Sequence, residues 1–183
     1  MKAIFITSED IKRYSILDGN VDNDKFNQFT EIAQDIHVQE YLGTDLYEKL
    51  QSLIIAATID DVGNEDYKTL LEDYVKPMHI RWASVEFMPY LAYTISNGGI
   101  YKHISESSES INIDEVNLLL ERTRSTAEFY TRRLIAFLCD NSTDYPEYQT
   151  NSNGDITPTK NSNYTGWVLW EDIIKLNQEI LLN

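Results

Sequence analysis

The chain has 183 residues, with 30 acidic against 15 basic side chains and a formal net charge of −15. That length holds one ordinary domain with an appendage, and 42% hydrophobic residues with 11% aromatic suffice to bury a core. The charge excludes a general nucleic-acid binder, which gains affinity by placing Lys and Arg on phosphates, and no cluster of even four basic residues occurs.

Cys139 is the only cysteine, which excludes an intrachain disulfide and a cysteine-rich zinc site. The apolar run Ala3-Ile4-Phe5-Ile6 is too short for a secretory signal. No window approaches the roughly 18 apolar residues of a membrane span. The expectation is a soluble, intracellular protein with no membrane contact, for which the sequons at Asn141 and Asn163 carry no weight.

From about Asp24 the pattern is helical. Phe26, Phe29, Ile32, Ala33 and Ile36 follow the three-and-four spacing of a buried face, with Asp22 or Asn23 placed to cap it. Gly43 offers a left-handed exit. Thr44 is placed to cap the next helix, and Asp45 suits the positive end of its dipole. That helix carries Leu46, Tyr47, Leu50, Leu53, Ile54 and Ala57 on one face, so the pair reads as a helical hairpin with a very short turn.

After the polar break Asp60 to Asn64, a third helical stretch is predicted from Glu65 to about Thr94. Pro77 lacks a backbone donor and is expected to kink or break it near Lys76, with Pro89 as a second disturbance. Apolar residues on most faces from Trp82 to Tyr93 mark a central, surrounded helix. Asn97-Gly98-Gly99 stops it, and Ile100, Tyr101 and Ile104 suit a short strand before the polar run Ser105 to Ser110.

A long helix follows from about Asp114 to Leu138, with Val116, Leu119, Leu120, Thr123, Ala127, Tyr130, Leu134 and Leu138 on one face. Its roughly 25 residues span about 37 Å, more than a small bundle needs. Composition then shifts at Cys139: the stretch to Gly166 has one aliphatic side chain, Ile156, and cannot build a core of its own. Hydrophobicity returns at Trp167-Val168-Leu169-Trp170 and continues through Ile173 and Ile174 to Leu182. An apolar terminus behind a polar tether has to dock, on its own bundle or on another chain. Two regions are therefore expected: a helical body, residues 1–138, and a polar extended arm with an apolar anchor, residues 139–183.

Catalytic and metal signatures are scarce. Gln34, Lys76 and Ile100 stand where the Glu of a Glu-x-x-His pair would precede His37, His79 and His103. No phosphate-binding loop, nucleophile elbow, zinc-protease helix or dinucleotide fingerprint occurs. Asp18 to Asn23 imitates the start of a calcium loop but has Asn23 where that loop needs glycine and Phe29 where it needs glutamate. His37 and His79 read as packing or interface residues, and Cys139, after Phe137-Leu138, as a half-buried structural thiol. No cofactor, metal or catalytic residue is assigned.

The run Val38-Gln39-Glu40-Tyr41-Leu42-Gly43-Thr44-Asp45-Leu46-Tyr47-Glu48-Lys49-Leu50 resembles a helix–turn–helix signature of head–tail connector (adaptor) proteins of tailed bacteriophages, particularly the Bacteroides and crAss-like type. Gly98-Gly99-Ile100 to Ser110, the long helix after it, and Asp144-Tyr145-Pro146-Glu147-Tyr148 match in the same order, over roughly residues 8 to 150. The signature turn is Tyr41, Leu42, Gly43, Thr44, Leu46 and Tyr47, and the arm starts at Tyr145, Pro146 and Tyr148.

The resemblance implies an all-α, antiparallel helical bundle with one long helix and an extended C-terminal arm. It further implies a homo-oligomeric ring, expected to be twelvefold, between the portal and further tail or ring proteins, with DNA passing through without specific binding. Such a protein is assembled in the host cytoplasm and resides in the virion at the head–tail junction. Trp167, Val168, Leu169, Trp170, Ile173 and Ile174 are the residues assigned to docking on the portal or a neighbouring subunit. A long Asn/Ser/Thr-rich arm departs from the family pattern. The −15 charge suits a conduit that must not trap passing phosphate. Two other readings stand beside this one: an acidic DNA mimic or helical inhibitor that binds a partner, and a helical enzyme with an unrecognised carboxylate site.

Overall fold

A computed structural model describes residues 2–14, 23–91, 93–96, 99–102, 113–152 and 155–160. The fold is all-α, with helices α1 (Ser8–Tyr14), α2 (Asn23–Ala33), α3 (Gln39–Leu42), α4 (Thr44–Ile55), α5 (Glu65–Thr69), α6 (Lys76–Leu91), α7 (Ile113–Asp140) and α8 (Pro146–Thr150). A small antiparallel hairpin, β1 (Tyr93–Ser96) and β2 (Gly99–Lys102), stands between α6 and α7.

π-Helical stretches at Gln34–Val38 and Leu70–Val75 join α2 to α3 and α5 to α6 without a break. Each explains a departure from simple helical spacing. Ile36, expected on the buried face, is 53% exposed, while Gln34 and Val38 are fully buried. Widening the turn from four-residue to five-residue hydrogen bonds rotates the following residues, so Val38, Tyr41 and Leu42 inherit the core face. The second stretch ends at Pro77's doorstep. Lys76 N–H bonds to the carbonyl of Leu71, five residues back. With the ladder already spread, the missing proline donor falls where the register changes, and the helical path passes through Pro77 instead of breaking near Lys76.

Helix α6 ends at Leu91, short of the expected Thr94, with Pro89 in its last turn. The chain then forms strands where a helix end was expected. The two strands pair in register from Tyr93 with Lys102 to Ser96 with Gly99.

The core gathers Leu42, Leu46 and Leu50 with Leu70, Val75 and Met78 and with Ala127, Leu134 and Leu138. Tyr74 stacks on Phe137 at 3.9 Å while Trp82 donates from Nε1 to Thr131 Oγ1 at 2.9 Å. Those pairs run in opposite directions along the chain, so α6 and α7 are antiparallel. α6 also packs on α1 and α2, which makes it the central helix.

The N-terminal segment, where no packing element is evident from sequence, is part of this core. Phe5 and Ile6 are buried. Gln34 Oε1 accepts from Phe5 N–H at 2.8 Å, and Gln34 and Gln51 both donate from Nε2 to the Ala3 carbonyl, at 2.9 and 2.7 Å. Two buried glutamines thus pair the polar groups of an extended segment that lies in no sheet.

Two expectations about the end of α7 change. Cys139 is exposed rather than half-buried, because Leu138 takes the inward position beside it. The body also does not stop at residue 138. α7 runs to Asp140, and Tyr145 and Tyr148 are each 1% exposed within the main core.

Candidate assembly surface

Residues 151–152 and 155–160 form a strap laid back across the α3–α4 turn. Gly43 adopts φ 74° and ψ 163°, a positive φ as expected but extended rather than left-handed helical. A Cβ there would stand 2.6 Å from Pro158 Cδ, so both the backbone conformation and the close approach of the strap demand glycine. Thr44 does not cap α4 with its own side chain. Its N–H donates to the Ile156 carbonyl at 3.0 Å, and its Oγ1 accepts from Ile156 N–H at 2.9 Å. Asp45 N–H donates to Asn151 Oδ1 at 3.3 Å, and Ser152 Oγ donates to Asp45 Oδ2 at 3.0 Å. Further on, Thr159 N–H donates to the Glu40 carbonyl at 3.0 Å. The first N–H groups of a helix have no partner inside it, and here a segment more than 100 residues away supplies two of them.

α8 anchors the strap. Pro146, exposed at the first position of α8, suits a helix start because it has no N–H to leave unpaired. Tyr145 donates to the Asp66 carbonyl at 2.9 Å, and Tyr67 donates to Glu147 Oε2 at 2.8 Å. Burial pushes the Tyr145 phenol up to about 12. Burial, then the Glu147 carboxylate, pushes Tyr67 higher still, so both hydroxyls stay protonated donors. Tyr148 is buried beside Cys139 with no hydrogen-bond partner for its hydroxyl, under a Lys160 ammonium 5.0 Å from its ring.

The signature residues are therefore interior ones. Tyr41, Leu42, Leu46 and Tyr47 lie in the core, and Gly43 and Thr44 are buried under the strap. Tyr145, Pro146 and Tyr148 begin a docked clasp instead of a free arm. Trp167, Val168, Leu169, Trp170, Ile173 and Ile174 lie outside the described residues, as does His103. Sequence reasoning missed Asn151, Ser152, Ile156, Pro158 and Thr159. Their polar composition reads as a solvated tether, yet Asn, Ser and Thr are also the residues that bond to nearby backbone.

Among the described residues, exposed large apolar side chains are scattered at Ile4, Tyr14, Ile36, Ile55, Val62 and Tyr90, and α7 carries three more. No residue from Val116 to Thr126 is buried, and Leu118, Leu119 and Phe129 are 59%, 44% and 55% exposed. Leu118 and Phe129 stand three helical turns apart on one face. At 28 residues α7 is about 42 Å long, and from Val116 onward the first buried position is Ala127.

His37 and His79 are packing groups. His79 is fully buried, with Nε2 2.9 Å from the Thr30 carbonyl and Nδ1 unpartnered, and burial lowers it to about 4. His37 stacks on Trp82 at 3.9 Å with Nε2 2.9 Å from Glu86; burial lowers its pKa against the opposing pull of that carboxylate. Among the described residues no group of three or more His, Cys, Asp or Glu is arranged to hold a metal ion, and no helix is long and apolar enough to cross a membrane.

The fold and its strap thus define a helical protein that, among the described residues, exposes apolar side chains on its long helix and arranges no group to hold a metal ion. Residues 38–158, 121 of 183, match a family described as of unknown function, DUF6712, and the chain belongs to that family. The matched segment begins one turn before the α3–α4 turn and ends at Pro158, so its two ends meet where the strap crosses Gly43. No curated protein and no solved structure matches the chain.

Proposed function

We propose that the chain is a structural subunit of the head–tail connector of a tailed bacteriophage, a ring-forming adaptor that joins portal to tail and surrounds the DNA exit channel. The observation that carries this reading is the N-terminal half of α7. It offers Leu118 and Leu119 to solvent, with Phe129 on the same side as Leu118, on a helix longer than the core it serves. A monomer gains nothing from that apolar surface, whereas a ring covers it with the neighbouring subunit. The resemblance of the Tyr41–Tyr47 turn, the long helix and the Tyr145–Tyr148 segment to phage connectors supports the same role. So does the −15 charge, which lets phosphate pass without being held.

Native mass spectrometry and cryo-electron microscopy of the chain mixed with the portal protein of the same phage test this. The expected result is a closed ring, twelvefold on the resemblance, seated on the portal with α7 at the subunit boundary. A monomer indifferent to portal, but able to block a DNA-binding enzyme, would replace this reading with the acidic DNA mimic. A bore lined by Lys and Arg would refute the account of the charge.

A further inference from the structure

The outer face of α7 carries a regular stripe. Leu118, Arg122, Ser125, Phe129, Arg132 and Ala136 recur at alternate steps of four and three residues, and every one is exposed. The stripe mixes apolar and cationic groups. In a chain of net charge −15, the stretch of α7 from Glu121 to Arg133 holds four arginines against two glutamates. Among the described residues neither Arg122 nor Arg132 has an ion pair.

The loop between α4 and α5 has the opposite charge. Asp60, Asp61, Glu65 and Asp66 are exposed, and no Lys or Arg occurs between Lys49 and Lys68. Lys68 pairs with Asp60 at 2.7 Å, which leaves Asp61 outside any ion pair among the described residues. Amid these acids Val62 is 97% exposed. The loop is braced by its own bonds: Asn64 donates from Nδ2 to the Thr58 carbonyl, and Gly63 N–H donates to Glu65 Oε2, both at 2.8 Å. An apolar tip set among carboxylates is thus shaped before it meets anything.

One molecule keeps the two patches apart. Tyr145 donates to the Asp66 carbonyl at 2.9 Å and lies 5.9 Å from the Phe137 ring, which fixes the loop near the C-terminal end of α7. Phe137 faces inward onto Tyr74, and the helix from there back to Leu118 is about 28 Å long. Two stripes do not suit each other either. Laid parallel they set Arg122 on Arg122, and laid antiparallel about their centre they set Arg122 on Arg132, like charge on like.

We propose that the α7 stripe of one copy receives the α4–α5 loop of a second copy, Val62 against the apolar positions and Asp60 and Asp61 on Arg122 and Arg132. Because the contact joins two different patches, every copy keeps one of each to offer, and successive contacts close into a ring when the rotation permits. The inference rests on the connector reading and specifies its subunit contact.

Two charge-reversed chains test it, each mixed with portal and followed by native mass spectrometry, with circular dichroism reporting the fold. Arg122→Glu with Arg132→Glu, and separately Asp60→Arg with Asp61→Arg, are each expected to abolish rings. The two variants mixed in equal amounts are expected to recover rings of alternating copies, since each supplies the charge the other has reversed. Rings from either variant alone overturn the proposal, leave the connector reading standing and assign the stripe to another protein or to DNA phosphate. No rings from the unsubstituted chain overturns both. A second measurement reverses no charge. In a Cys139→Ser background, Val62→Cys with Ser125→Cys is expected to cross-link assembled chains into covalent multimers under oxidation, and either cysteine alone is not. Rings that form without those cross-links overturn the proposal.

Discussion

At Gly43, backbone and neighbour make the same demand. Replacing it with alanine places a Cβ against Pro158 and forces a side chain into a glycine-only conformation. Urea unfolding of Gly43→Ala is expected to show a loss of about 3 kcal/mol, and adding Pro158→Ala recovers the steric part but not the backbone part. The opposite case stands at the end of α4. Thr58 N–H bonds to the Leu53 carbonyl and Ala57 N–H to that of Ile54, a helix stop that places Ala57 at φ 54°. Because glycine adopts that conformation without strain, Ala57→Gly is expected to raise stability by about 1 kcal/mol in the same assay. His79 sets a pH dependence. Its folded pKa near 4 lies below the ordinary 6.5, so the unfolded chain binds the proton first. Stability present at neutral pH is therefore lost as pH falls from 6.5 towards 4, by about 3 kcal/mol in all. His37 adds a contribution of the same sign. Unfolding free energies measured across that range should fall with pH, and His79→Gln should flatten the slope even where it lowers stability overall.

Among elements, the α8 clasp separates two tyrosines that sequence treats alike. Both are buried, but Tyr145 donates to Asp66 and Tyr148 donates to nothing. Tyr145→Phe removes one of the two hydrogen bonds to the Asp66 carbonyl, which keeps the Leu70 N–H, and is expected to cost about 1 kcal/mol, whereas Tyr148→Phe removes a hydroxyl with no such acceptor and is expected to be neutral or stabilising. Thermal denaturation distinguishes them, and equal losses would contradict this account. The elements also mark how far periodicity carries. Phe26, Ala33, Leu46, Leu50, Leu134 and Leu138 fall where their spacing places them. Ile36 does not, because the π-helical stretch is an insertion in hydrogen-bond register that leaves no mark in residue type. The strap escapes for a related reason. A polar segment that satisfies helix ends through backbone and Asn, Ser and Thr groups has the same composition as one satisfied by water.

For the whole molecule, the half-length of α7 that buries no residue fully, though Leu120 packs against the core, is the surface on which the assembly proposal rests. Leu118→Ser with Phe129→Ser, both on the exposed stripe, is expected to leave monomer stability within about 0.5 kcal/mol while abolishing ring formation on the portal. Size-exclusion chromatography with mass detection reads the assembly, and a ring that persists in the double variant would move the interface elsewhere. By itself the sequence determined the helical class, the turn at Gly43, the long helix and the excess of negative charge, because each follows from local spacing, residue type or counting. Only the tertiary structure decided that the segment after Cys139 belongs to the body through Lys160. That outcome depends on which unpaired N–H groups a distant segment can reach, and local patterns carry no information about distance.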